Sequence, residues 1–204
     1  MAEAGKTRNS TDKRRRILEG ALRAFAKKGF YNTKVSEIAS EAGVADGTIY
    51  LYFKNKDDLL ISLFEDRMEW VIERLNAELA QHEGSPVDKI RQFVHLHFLL
   101  VVEDRELAEF ITVELRQSAK FVKEYKNAKF SDYLRILQTL IEDGQAAGQL
   151  NQDIDSRLAS RVMFGALDEV LLSMALAKTP PERIKAQAQR IADMFLFGLG
   201  QTQE

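Results

Sequence analysis

The stretch TKVSEIASEAGVADGTIYLYFKNKDDLL, residues 33–60, contains the features that decide the fold. Its first part, VSEIASEAG, has the apolar spacing of a short helix and ends at Gly43, which can take the positive φ of a helix end. Asp46 is a residue type that caps helices, so we predict another short helix from Gly47 to about Phe53. Two short helices joined by a glycine turn are typical of a helix-turn-helix.

The second of these short helices is predicted to have two different faces. Ile49 and Phe53 lie four residues apart, so they can point into a core together. The outward side is then left with Gly47, Thr48, Tyr50, Leu51 and Tyr52. A glycine permits close approach to a groove, an apolar side chain can touch a thymine methyl, and tyrosine hydroxyls can reach phosphates. Lys54 and Lys56 follow at the positions where we expect them to neutralise a phosphate backbone.

Charge is distributed unevenly along the 204 residues. Residues 1–56 hold 12 of the 29 basic and 6 of the 31 acidic side chains, so this segment is positive although the whole chain has a net charge of -2. A basic head on an acidic body favours contact with a polyanion by the head alone. The alternative for such a cluster is an ordinary solvated basic face.

The region before the helix-turn-helix is predicted to contain one more helix. This helix should start near Thr11–Asp12 and end at Gly29. Residues before about 10 are predicted to be a disordered tail. The basic run at Arg14, Arg15 and Arg16 could form an arm that reaches a minor groove.

The fold class is predicted to be all-α, because prolines are scarce and apolar residues recur at helical spacing nearly everywhere. The first three helices form a DNA-binding domain, residues 1–56. The remaining residues, 57–204, are predicted to form a larger helical domain, and its roles in ligand binding and dimerisation are implied by the family resemblance of residues 14–64. Its helices are predicted at 57–81, 86–102, 105–118, 121–147, 154–178 and 181–200, which gives about nine helices in total.

Other classes of protein are disfavoured. The chain has no cysteine, which excludes disulfides, and His95 and His97 point about 200° apart on a helix, so we expect no metal site. No nucleotide-binding loop or nucleophile elbow occurs, so an enzyme is not expected. The N-terminus lacks a signal peptide and no apolar run approaches ~20 residues, which predicts a cytoplasmic protein. A helical enzyme, or an adaptor with a basic partner-binding head, is the remote alternative.

Residues 14–64 resemble the DNA-binding segment of the TetR family of transcriptional regulators, with the pattern T-x-V-x-x-I-A-x-x-A-G-V-x-x-G-T-x-Y-x-Y-F-x-x-K-x-x-L. The resemblance implies a homodimer on a palindromic double-stranded operator, and repression that a small molecule relieves. Matched by position, the implied phosphate contacts are Thr33, Ser36, Thr48, Tyr50, Tyr52 and Lys56. Gly47 and Leu51 fall where the family often touches base edges, and the predicted DNA-contacting set also includes Lys34 and Lys54.

Two further segments, TVELRQS at 112–118 and VMFGALDEV at 162–170, resemble a narrower subgroup. These are the repressors of fatty-acid degradation that release DNA on binding long-chain acyl-CoA, which is therefore the predicted effector; no protein cofactor is expected. Such a ligand needs an apolar tunnel and cations for its phosphates. The predicted ligand-binding residues are Phe98, Leu99, Phe110, Leu115, Arg116, Leu134, Leu137, Met163, Phe164 and Leu167.

Each of these assignments has an alternative. The apolar residues could simply be the core of a helical bundle, and Arg116 could form a salt bridge within the body. The alternative effector is another hydrophobic molecule, such as a drug or a lipid, with efflux as the controlled process.

The last two helices carry the prediction of a dimer. The penultimate helix is apolar on two faces, and a helix of that kind is buried from two sides. One side can be covered by its own body and the other by a second copy of the chain. The predicted interface is Leu158, Val162, Ala166 and Val170, with Ile191, Phe195 and Leu199 of the last helix. A monomeric core is the alternative.

Overall fold

The structure is a computed structural model that describes residues 2–111 and 128–199, with side chains described from Ser10 onward. The described residues form nine helices and no strand, in agreement with the predicted all-α class. The helices are α1 Ala2–Lys28, α2 Val35–Ala42, α3 Asp46–Ile49, α4 Lys56–Gln81, α5 Pro86–Glu103, α6 Arg105–Glu109, α7 Ala128–Ala146, α8 Ser156–Leu176 and α9 Pro181–Leu199. The predictions for Leu115 and Arg116 lie outside the described residues.

The described residues belong to two compact units. The first contains the residues up to 67 together with 109–111, and the second contains 68–108 and 128–199. The predicted head ended at residue 56, so the first unit also takes in the beginning of α4. Residues of α4 therefore belong to both units.

The first unit is built on the close packing of α1 against α2. Gly20 of α1 lies against Ala42 of α2, and a Cβ at Gly20 would come within 2.8 Å of the Ala42 backbone nitrogen. Gly43 then turns the chain with φ 63°, as predicted for a glycine helix end. Gly29 ends α1 in the same way with φ 77°. These contacts bring the second and third helices into the helix-turn-helix arrangement.

Three local predictions for the head were wrong. The first helix begins at Ala2 and not near Asp12, so Asp12 lies inside the helix, where its carboxylate accepts from the Arg15 guanidinium at 3.1 Å. Ala45, not Asp46, is the N-cap of α3, and no side chain caps it. α3 ends at Ile49, and hydrogen-bonded turns continue from there to Phe53.

The start of α4 is fixed by reciprocal side-chain capping. The Asn55 side chain accepts from the Asp58 backbone N–H at 2.9 Å, and the Asp58 carboxylate accepts from the Lys54 N–H at 2.8 Å. These bonds satisfy N–H groups that have no partner within the helix. They also fix the direction in which the chain leaves the helix-turn-helix.

The second unit is a bundle in which α5 packs against α7, α8 and α9, and α7 packs against α8. Ser85 and Asp88 cap α5 reciprocally, and Asp155 caps α8 through the Leu158 N–H at 2.7 Å. The apolar faces of these helices form the core of the unit, with Phe93, Phe98, Leu137, Ile141, Met163, Leu167, Leu171, Ile184 and Ala188 buried. Within the described part of the chain, no helix has the length and apolar character needed to cross a lipid bilayer.

Candidate functional site

The turn-and-helix segment after Gly43 exposes the side chains that the sequence placed outward. Tyr50 is 58% exposed and Leu51 is 80% exposed, whereas Ile49 and Phe53 are buried in the first unit. Gly47 is exposed and has ordinary negative φ, and a Cβ there would meet nothing within 4 Å. The described part of the chain therefore gives no packing reason for glycine at this position. Thr48 and Tyr52 are half-buried beside it.

Polar groups surround this exposed segment. Lys34, Ser36 and Lys54 are exposed, which leaves their side chains accessible to a partner. Tyr31, which the sequence did not single out, is exposed beside them in sequence at 63%. These exposed residues include aromatic, apolar and basic side chains, the kinds of group that contact base edges and phosphates in a DNA groove.

Thr33 has a different position from the one predicted. Its side chain is buried, and its hydroxyl lies within hydrogen-bond distance of the carbonyl oxygens of Ala24 at 3.2 Å and Gly29 at 2.7 Å. The predicted phosphate contact of this side chain does not fit that position. Thr33 instead joins the end of α1 to the start of α2.

Lys56 is also turned inward. Its ammonium group donates to the carbonyl oxygens of Phe30 at 2.7 Å, Tyr31 at 3.2 Å and Thr33 at 3.0 Å. It also lies 4.5 Å from the centre of the Phe30 ring, within the range of a cation–π interaction. All three N–H groups of the ammonium are used inside the protein. The structure therefore gives Lys56 a positioning role in place of the predicted phosphate contact.

The arginine run of α1 is helical and not an extended arm. Arg16 donates to the carbonyl oxygens of Ala42 at 2.7 Å and Gly43 at 2.8 Å, which ties α1 to the glycine turn. Arg14 lies 5.6 Å from the centre of the Phe53 ring. These contacts explain Arg14 and Arg16 by packing within the first unit.

The predicted ligand-binding residues fall into three groups, of which one, Leu115 and Arg116, lies outside the described residues. Seven belong to the second unit, on α5, α7 and α8: Phe98, Leu99, Leu134, Leu137, Met163, Phe164 and Leu167. Phe110 belongs to the first unit, where its ring stacks on Phe25 with the centroids 6.4 Å apart, and its predicted ligand contact stays a prediction. Five of the seven are buried and Leu99 and Phe164 are half-buried, which is compatible with both alternatives, a ligand-lining surface and a bundle core.

The interior of the second unit contains a polar pair that the sequence did not reveal. His97 of α5 is 9% exposed, and its Nδ1 lies 2.6 Å from the Tyr133 hydroxyl of α7. Burial lowers the pKa of His97 to about 4, and an interaction with the Leu167 backbone offsets this only in part, so the ring is neutral at pH 7. Burial, with a contribution from the nearby Asp168 carboxylate, raises the pKa of Tyr133.

Aromatic rings surround this pair. The His97 ring makes edge contacts with Phe98 at 5.4 Å and Phe164 at 6.2 Å between centroids, and Phe130 packs on Phe164 at 4.7 Å. The four-residue spacing from Phe93 to His97 was a usable signal, because it places the histidine on the buried face of α5. No local pattern indicates that Tyr133 on α7 is its partner.

The last two helices carry exposed apolar side chains, as predicted for an interface. Leu158, Val162 and Ala166 are exposed on α8, and Ile191 and Phe195 are half-buried on α9. Leu199 was assigned wrongly, because it is buried in the second unit and its carbonyl accepts from Asn151. The sequence analysis missed Met194, which is 73% exposed, and Phe197, which is 92% exposed.

Among the described residues, no group of three or more histidine and carboxylate side chains could hold a metal ion. A helix-turn-helix with an exposed aromatic and basic surface, joined to a helical body, defines a DNA-binding transcriptional regulator.

Comparison with known proteins gives the family. Residues 17–63 match the model of "Bacterial regulatory proteins, tetR family", and residues 64–197 match that of "YsiA-like protein, C-terminal region". The chain belongs to the TetR family of transcriptional regulators. The expected class, a regulator and not an enzyme, is confirmed by the relatives.

Individual relatives show which members of the family this chain is similar to. The chain is 38% identical over 160 residues to the fatty acid metabolism regulator protein of Bacillus subtilis (strain 168), which covers 78% of this chain and 82% of that protein. The fold of this chain matches the crystal structure of FadR from Bacillus subtilis in complex with stearoyl-CoA. The TM-score is 0.83, the sequence identity is 34%, and the match covers 90% of this chain and 97% of that one. FadR from Bacillus halodurans matches with a TM-score of 0.82, 34% identity, and coverage of 90% and 98%.

Proposed function

We propose that this protein is a dimeric cytoplasmic repressor that leaves a palindromic operator when it binds long-chain acyl-CoA, and that it controls genes of fatty-acid degradation. The observation that carries the proposal is the extent of the similarity to FadR of Bacillus subtilis, which was solved with stearoyl-CoA. That similarity covers 90% of this chain, so it includes the body as well as the head. A likeness confined to the helix-turn-helix would carry no information about the effector.

The proposed DNA surface consists of the exposed residues of the first unit. Leu51 and Gly47 are assigned to base edges, and Tyr50, Tyr52, Thr48, Ser36, Lys34 and Lys54 to phosphates and sugars. Exposure supports this assignment for Leu51 in particular, because an apolar side chain that is 80% exposed has no role in packing its own unit. Lys56 and Thr33 are left out because their polar groups bind within the unit.

Gly47 offers a test of the groove assignment that leaves folding intact. A methyl group at this position meets nothing in the described structure, so Gly47→Ala should keep or slightly raise stability, by up to about 1 kcal/mol. The same methyl group would hold the backbone away from the bases. We expect operator affinity, measured by fluorescence anisotropy, to fall by about tenfold or more, since a base contact contributes ~1–3 kcal/mol.

Lys54→Ala is the comparison variant for this measurement. It should weaken binding to operator and unrelated duplex alike and reduce the salt slope by about one. Gly47→Ala should instead leave the salt slope unchanged and reduce the preference for the operator. Unaltered operator affinity in Gly47→Ala would remove Gly47 from the proposed interface.

The proposed effector site is the aromatic interior of the second unit. Small hydrophobic ligands bind in largely apolar cavities that carry a few placed polar groups. The rings around His97 and Tyr133 have this composition, and Phe130 and Phe164 are only half-buried, so the cluster reaches the molecular surface there. We propose that ligand in this interior is coupled to the DNA surface through α4, which contributes residues to both units.

The effector is tested by titrating operator affinity against stearoyl-CoA at fixed salt. We expect a loss of about 5–150-fold at saturation, the usual range for coupling between two sites of one protein. Free CoA and free stearate are the controls, and neither should release the operator at the same concentration. A panel of apolar drugs tests the alternative of efflux control. Unchanged operator affinity at saturating stearoyl-CoA would contradict the proposed effector and leave the proposed DNA binding standing.

A further inference from the structure

One ring nitrogen of His97 has a hydrogen-bond partner, and the other has none among the described residues. Nδ1 lies 2.6 Å from the Tyr133 hydroxyl, whereas Nε2 is buried and has no hydrogen-bond partner among the described residues. Buried polar groups in folded proteins are nearly always satisfied, because an unpaired one costs its full desolvation energy. A buried ring nitrogen without a partner among the described residues is therefore the kind of group that a ligand completes.

The contacts of the ring indicate which nitrogen carries the proton. The neutral imidazole has a single N–H. The Tyr133 hydroxyl is protonated at neutral pH, and when it donates to Nδ1 the imidazole proton must be on Nε2. The Leu167 backbone raises the pKa of His97, which is the effect of a carbonyl near a ring N–H, but the contact does not reach normal hydrogen-bond geometry. We assign Nε2–H as a donor without an acceptor among the described residues.

We propose that the His97 Nε2–H donates a hydrogen bond to the carbonyl oxygen of the acyl thioester, and that Tyr133 positions the ring for this contact. The inference rests on the proposed function and identifies the group that reads the head of the acyl chain. A thioester carbonyl suits the position because it is a neutral acceptor that needs one donor. Such a contact lets the protein distinguish an acyl chain from an alkyl chain of equal length.

The test compares stearoyl-CoA with S-octadecyl-CoA, a thioether that replaces the carbonyl by a methylene group. Affinities are measured by isothermal titration calorimetry for the wild-type protein and for His97→Phe, which keeps an aromatic ring but removes the donor. The wild type should bind the thioester about three- to tenfold more tightly than the thioether, the range expected for one hydrogen bond. In His97→Phe this ratio should fall to about one.

Two further variants separate the hydrogen bond from packing. His95→Phe makes the same substitution two residues earlier, at a half-buried position of α5, and should keep the wild-type ratio. Tyr133→Phe removes only the hydroxyl that fixes the imidazole, so its ratio should fall between those of the wild type and His97→Phe. Melting temperature and operator affinity without ligand are recorded for every variant, to confirm that the folded head is retained.

A measurement on the wild-type protein avoids dependence on a folded variant. With nitrogen-labelled histidine, the Nε2 proton resonance should move downfield on addition of the thioester and stay in place with the thioether. Equal affinities of the wild type for both ligands, a retained ratio in His97→Phe, or identical spectra would overturn the inference while leaving the proposed effector intact. A wild-type protein that binds neither ligand would overturn the proposed effector and the inference together.

Discussion

Lys56→Met should destabilise the DNA-binding head by about 2–4 kcal/mol, because charge-assisted hydrogen bonds contribute ~1.5–3 kcal/mol each and do not add fully. The ammonium donates to three carbonyl oxygens, those of Phe30, Tyr31 and Thr33, and also lies over the Phe30 ring. These carbonyls belong to the connection between α1 and α2, which positions the helix-turn-helix. Methionine keeps the length of the side chain and removes every donor. The measurement is urea unfolding followed by circular dichroism.

Operator binding should be lost together with stability in Lys56→Met, since an unfolded head cannot present α3. The loss should be reversed in part by lowering the temperature, because the contact surface itself is unchanged. Lys54→Met is the matched control two residues away, where the side chain is exposed. It should unfold like the wild type and show weaker DNA binding with a salt slope reduced by about one.

The alternative role of Lys56 makes the opposite prediction. If its ammonium neutralised a phosphate, as the sequence indicated, Lys56→Met would retain wild-type unfolding and lose one unit of salt slope. That outcome would show that the three internal hydrogen bonds contribute little. The pair of lysines thus separates a cation that holds the head together from one that binds DNA.

The two lysines also show what the sequence could and could not predict. Glycine turns, helical spacing and the outward position of Tyr50 and Leu51 depend on residues within a few positions of each other. Local pattern was therefore sufficient for the helix-turn-helix and for the all-α class. The acceptors of Lys56 lie 23 to 26 residues earlier in the chain, so no local pattern distinguishes its inward position from that of a solvated lysine.

The same limit applies to the interior of the second unit. Helical spacing predicts that His97 is buried, but its partner Tyr133 is 36 residues away on another helix. The pair exists only because α5 and α7 pack together. Phe110 gives a second case, since its apolar character predicts that it is buried but not that it stacks on Phe25. Hydrophobicity determines that a side chain is buried, whereas the packing of the helices determines which residues it contacts.

Ala166→Arg should convert the protein into a folded monomer. Ala166 is exposed on α8, so an arginine there is tolerated by the chain on its own. Leu158 and Val162, 62% and 58% exposed, lie on the same helix at helical spacing from it. If a second copy covers this face, the arginine is buried without a partner at a cost of about 3–5 kcal/mol. The dimer dissociation constant should then rise by about two to four orders of magnitude.

Operator affinity should fall further in Ala166→Arg than for any change in the head. Two linked heads bind a palindrome with an affinity about 10²–10⁴ times that of a single head, and the monomer loses this factor. Half-sites about one helical turn apart, ~34–36 Å, can be read together only by a dimer. Sedimentation velocity gives the oligomeric state, and fluorescence anisotropy gives the operator affinity. Ala77→Arg is the control, since it makes the same substitution at an exposed position of α4. It should remain dimeric and bind the operator normally.

Phe197→Glu tests the interface from the other helix. Phe197 is 92% exposed and Met194 is 73% exposed, and large apolar side chains so accessible are typical of a surface that another protein covers. The α8 and α9 variants should give the same monomer, because a two-fold interface uses one patch on both subunits. A wild-type monomer at micromolar concentration would refute the interface as a whole. If Ala166→Arg gave a monomer but Phe197→Glu left the dimer intact, α9 would lie outside the interface, and α8 alone would form it.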